Sequence, residues 1–87
     1  MSSAEAPTRV LVVDDEANIV ELLKVSLKFQ GFEVATASDG GEALDIARSF
    51  HPDAFILDVM MPRMDGFTLL SKLRADGHDA PVLFLTA

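Results

Sequence analysis

Four side chains stand where apolar runs stop. Asp14 and Asp15 follow RVLVV, Asp58 follows AFIL, and Thr86 follows VLFL. Carboxylates gathered in one place repel each other. Two unit charges 4 Å apart cost about 4 kcal/mol at an effective dielectric of 20. Protonation of one acid relieves that repulsion. A hard divalent cation relieves it better, because oxygen ligands suit magnesium, manganese or calcium. The main-chain oxygen of Met60 lies near enough to Asp58 in sequence to add a ligand. With a cation in place, a carboxylate can attack phosphorus and form an aspartyl phosphate. The protein's work is then positioning and charge neutralisation. Asp58 is the best nucleophile, between the acid pair and a threonine hydroxyl that can donate to a phosphoryl oxygen. Singly, each residue has a plainer reading: Asp caps helices and forms turns, and Thr is common in strands. Their joint placement at three strand ends outweighs it.

That placement depends on the elements. Arg9–Val13 reads as a buried strand. Ala17–Gln30 has apolar residues at three- and four-residue intervals, with Ile19, Val20, Leu22, Leu23 and Leu27 on a helical face. Asp15 and Glu16 suit its start, and one of them can cap it; Gly31 suits its end. A second strand is expected over Phe32–Thr36, a turn at Asp39-Gly40-Gly41, and a helix over Glu42–Phe50 that Pro52 terminates. Ala54–Leu57 is a third buried strand. Met60–Met64 is a loop, Asp65 caps a helix from Phe67 to Ala75, and Val82–Leu85 is a fourth strand. Strands alternating with helices argue for a doubly wound parallel α/β sheet with right-handed crossovers. Sites in such sheets form outside the carboxyl ends of the strands. If the first and third strands are neighbours and the fourth lies beside the third, the acids and Thr86 share one crevice, because adjacent strands are about 4.8 Å apart.

Composition narrows the classes. The chain has 87 residues, which suits one domain, and 49% are apolar, enough for a small core. A formal net charge of −7 argues against a grip on nucleic acid by this segment. There is no cysteine for a disulfide or thiolate site. No run is long enough for a membrane span, and MSSAEAPT is not a signal peptide. It reads as a disordered lead-in over residues 1–8, and the cytoplasm is the default location. His51, His78, Lys24, Lys28, Lys72 and Arg74 read as solvated, and Met60, Met61 and Met64 as loop packing. Gly40-Gly41 lacks the lysine of a nucleotide-binding loop. No helix follows the last strand, so either that strand is an exposed edge or the chain is a piece of a longer domain; the second is the expectation.

VLVVDDE at 10–16, FILDVMMPRMDG at 55–66 and LFLTA at 83–87 together resemble a bacterial response-regulator receiver, and EANIVELLKVSLKFQGFEV resembles the OmpR/PhoP subfamily, PhoP-like members above all. The resemblance covers residues 9–87 and implies a flavodoxin-like sheet of order 2-1-3-4, with a fifth strand, its lysine and the last helices absent from this sequence. It implies that Asp58 takes a phosphoryl group from a sensor histidine kinase and that Asp14, Asp15, Asp58 and the Met60 main-chain oxygen hold Mg2+. Thr86 would sense the phosphate. Further implications are a receiver homodimer in the full-length protein and DNA binding through a C-terminal domain outside this chain. The leading reading is therefore a phosphorylation switch and not a turnover enzyme. An aspartyl-phosphate phosphohydrolase and a phosphate-independent interaction module are the competing classes; phosphohydrolases commonly place nucleophile and acid two apart on the first strand, whereas the acids here are adjacent.

Overall fold

A computed structural model of the chain describes residues 6–86. Four strands, β1 (Arg9–Val13), β2 (Glu33–Ala37), β3 (Ala54–Asp58) and β4 (Val82–Leu85), alternate with three helices, α1 (Ala17–Phe29), α2 (Gly40–Phe50) and α3 (Gly66–Ala75). Every strand pair is parallel and the sheet order is β2-β1-β3-β4. That is the flavodoxin-like order the resemblance implied, with β1 and β3 adjacent and β4 beside β3. Among the described residues, no helix is long and apolar enough to cross a membrane.

The strand alternation explains the layers. Leu11 and Val13 of β1 and Phe55 and Leu57 of β3 point to one face, where they meet Ala43 and Ala47 of α2 and Leu69 and Leu73 of α3 in a single core cluster. Their neighbours Val10 and Val12 point to the other face, where α1 packs on β1 and β2. Being covered on both sides, β1 reads as an unbroken apolar run. The second face is only partly covered. No residue of α1 is fully buried. Phe29 on α1 is 88% exposed and Leu83 on β4 is 61% exposed.

Several boundaries differ from expectation for local reasons. Phe32 does not open β2: its N–H donates to the Leu27 carbonyl at 3.1 Å, closing α1 in a Schellman-type cap with Gly31 at φ 97°. The strand therefore runs from Glu33 to Ala37, and Gln30 is the C-cap and not part of α1. Asp39-Gly40-Gly41 is not a free turn. The Asp39 side chain accepts the Glu42 N–H at 2.8 Å, and the Glu42 side chain accepts the Ser38 N–H at 2.7 Å. This reciprocal cap draws both glycines into α2. Asp65 caps α3 as expected, accepting the Thr68 N–H at 2.7 Å, so the helix begins at Gly66, one residue before Phe67. Neither Asp15 nor Glu16 caps α1; Glu16 occupies the N-cap position without a side-chain bond.

Arg74 is not merely solvated. Its guanidinium donates to the carbonyls of His78 and Ala80 at 2.8 and 2.7 Å and so clamps the loop that leads into β4. His78 sits half-buried, edge-on to Phe55 with ring centroids 6.1 Å apart. Residues 1–5 of the expected lead-in lie outside the described residues. Thr8 is already tied to the sheet, its carbonyl accepting the Glu33 N–H at 2.9 Å.

Leu57 is fully buried one residue before Asp58. Leu57→Ala is expected to lower unfolding free energy by about 2–5 kcal/mol, because the rigid sheet cannot close the cavity. Urea denaturation checks this through a lower midpoint at unchanged slope.

Candidate functional site

The parallel register carries the acids together. Val13 pairs with Leu57, so the next positions along β1 and β3 are Asp14 and Asp58. The Asp14 N–H extends the β1–β2 ladder by donating to the Ala37 carbonyl at 3.2 Å. Asp58 pairs with Leu85, and the Val59 N–H donates to the Leu85 carbonyl at 3.1 Å, which brings Thr86 to the same end of the sheet. Asp14, Asp15 and Asp58 each present a carboxylate oxygen within 4.8 Å of the others. Asp14, Asp15, Asp58, Met60 and Thr86 all line one cleft of about 440 Å³. Each residue expected at the site is therefore at one place.

Asp14 is the one charged side chain buried among the described residues, at 5% exposure. Its Oδ1 accepts the Glu16 N–H at 2.9 Å. Thus the residue that bonds the start of α1 is Asp14, two positions before Glu16, in an Asx-type turn. Asp58 is half-buried, and its Oδ1 accepts the Met60 N–H at 3.1 Å. The Met60 side chain is not loop packing. It is 71% exposed at the cleft, whereas Met61 and Met64 do pack against the core. Sequence reasoning passed over Glu16 as a cleft residue. It also passed over the apolar wall that Ile19, Leu22 and Leu23 supply on α1, residues that the spacing placed only on a helical face. His51 and His78 lie in the loops after α2 and α3, at the opposite end of the sheet.

The electrostatics follow from that crowding. Burial pushes the Asp58 carboxyl above its ordinary value of 3.8, the Met60 N–H pulls it partly back, and the neighbouring Asp14 and Asp15 raise it further. Because the folded state holds this proton more tightly than the unfolded chain, the ionised form opposes folding. The penalty is full at neutral pH and disappears as pH falls below the ordinary value. Asp58→Asn is expected to raise the melting midpoint by a few degrees at neutral pH in the presence of a chelator, with the gain vanishing near pH 3. A melting series over pH checks it; a gain that persists in acid would remove the electrostatic explanation.

Comparison with known proteins agrees with this geometry. The family model described as the response regulator receiver domain matches residues 10–87. The chain is 53% identical over 81 residues to the response regulator MprA of Mycolicibacterium vanbaalenii, covering 93% of this chain and 35% of that protein. It thus spans about a third of the length of the curated relatives it matches. TrrA of Thermotoga maritima, a response regulator protein solved in complex with Mg(2+)-BeF, superposes with a TM-score of 0.84 at 45% identity, over 92% of this chain and 70% of that one. TrrA in complex with the histidine kinase ThkA gives a TM-score of 0.83 at 45% identity, over 92% and 69%. Sheet order, acid cluster and family match converge: the chain belongs to the response regulator receiver domain family.

Proposed function

We propose that Asp58 accepts a phosphoryl group from the phosphohistidine of a sensor histidine kinase and that this transfer switches a longer response regulator. The observation that carries the reading is the three carboxylates within 4.8 Å of one another at the end of a parallel sheet. Such a donor set fits a hard divalent ion. Asp14, Asp15 and Asp58 would hold Mg2+, with the Met60 main-chain oxygen as a further ligand. When bound, Mg2+ supplies the positive charge that lets a phosphoryl group enter an acidic cleft. The complex of TrrA with Mg(2+)-BeF and its complex with a histidine kinase support the metal and the donor.

In the transfer, a lone pair of the Asp58 carboxylate forms the new O–P bond while the donor's N–P bond breaks. The departing imidazole nitrogen keeps that electron pair, and the ring leaves neutral because its other nitrogen carries a proton. Hydrolysis reverses the state: water adds at phosphorus, phosphate departs, and the Asp58 carboxylate is restored. Thr86, exposed on the cleft rim, donates its hydroxyl to a phosphoryl oxygen. The negative charge of this segment suits a regulator that meets DNA only through another domain. That domain, a receiver homodimer and a cytoplasmic location complete the OmpR/PhoP-like reading.

Incubating the full chain with an acyl phosphate and Mg2+ tests it. One phosphoryl mass increment is expected, mapped to Asp58 and absent in Asp58→Ala. Asp15→Asn is expected to raise the Mg2+ concentration for half-maximal labelling by on the order of tenfold or more, as loss of one ligand charge implies. Equal labelling of Asp58→Ala would overturn the assignment.

A further inference from the structure

We infer that Gly66 is a positioning residue for Asp58: its bare Cα lets the first turn of α3 press on the backbone of Asp58 and Val59, and that contact sets where the Asp58 carboxylate stands. The inference rests on the phosphoacceptor reading of Asp58.

Gly66 is buried at the first position of α3. A Cβ added there would collide with the Asp58 carbonyl oxygen and would stand 3.1 Å from both the Asp58 carbonyl carbon and the Val59 Cα. All three are main-chain atoms, so no rotamer change relieves the clash. The other four glycines of the chain differ. Gly40 would meet only the flexible side chain of Met64, Gly41 the Asp39 side chain at 3.5 Å, and Gly31 and Gly77 nothing within 4 Å. Gly66 also bonds the same segment, its N–H donating to the Val59 carbonyl at 3.0 Å. One of the helix's unpaired N–H groups is thereby satisfied by the residue next to the acceptor.

A push at this point has little room to dissipate. β3 is paired to β1 on one side and β4 on the other, and the Val59 N–H is held by Leu85. The loop from Val59 to Asp65 is also held at its far end. Met64 packs against Gly40, its N–H donates to the Pro62 carbonyl at 2.7 Å, and Arg63 takes a left-handed φ of 70°. Displacement therefore falls on Val59 and Met60, and the Met60 N–H is the group that orients the Asp58 carboxylate.

The test compares acyl-phosphate labelling of the full chain in wild type, Gly66→Ala and Leu73→Val, a core trim two turns further along α3. Gly66→Ala is expected to lower the labelling rate at saturating donor by roughly tenfold to a hundredfold, with little change in the donor concentration for half-saturation. Leu73→Val is expected to lose stability but label at the wild-type rate. Should Gly66→Ala fail to fold, Asp65→Ala, which frees the same helix end by removing its cap, is expected to show a smaller loss of the same kind. Wild-type kinetics in folded Gly66→Ala, or in Asp65→Ala where the first does not fold, overturn the positioning role alone. A wild type that takes no label overturns the phosphoacceptor reading and this role with it.

Discussion

The site depends on carboxylates held together against their own repulsion. Asp14 and Asp58 cannot drift apart, because each ends a strand whose register is locked by the β1–β3 pairing. The outer ladders hold the same two strand ends, the Asp14 N–H bonding Ala37 on the β2 side and the Val59 N–H bonding Leu85 on the β4 side. Packing of the Leu11, Val13, Phe55 and Leu57 face against α2 and α3 supplies the stability that this crowding draws on. Burial raises the proton affinity of Asp58, and the neighbouring Asp14 and Asp15 add to it.

Much of this was legible in the sequence because it rests on short-range rules. The β1, β3 and β4 runs are apolar and stop at polar residues, and the alternation with helices restricts the topology. What placed the acids side by side, however, was the strand order, and the residues alone left that conditional. The resemblance supplied it. Errors at Phe32, Gly40 and Gly66 share a cause. Each boundary is decided by a capping hydrogen bond, and whether an Asp or a Gly lies just inside or just outside a helix turns on a bond that periodicity does not reveal. Arg74 was misread similarly, since a basic residue on a helix end looks solvated until the loop it clamps is known.

Least legible is how much of the outer side of α1 stays exposed. Periodicity on α1 correctly identified a helix, and Val20, Leu23 and Leu27 of its stripe are half-buried while Ile19 and Leu22 stay exposed. Leu22, Val25 and Phe29 also recur at helical spacing and are exposed, as is Leu83 on β4. Amphipathic spacing shows that a face can be buried; it does not show what buries it. The upper part of that stripe instead forms the apolar wall of the acid cleft.

The bonds at Asp14 and Asp58 also bear on ion choice. Each residue directs its Oδ1 to a main-chain N–H, of Glu16 and Met60 respectively. A chelate using both oxygens of either side chain would have to compete with that amide. Ions of larger radius, such as calcium, favour such two-oxygen grips and seven or so ligands, whereas magnesium takes single oxygens in an octahedron and retains water. Under the proposed metal reading, these amides would leave each aspartate a single free oxygen, a grip that suits the smaller ion.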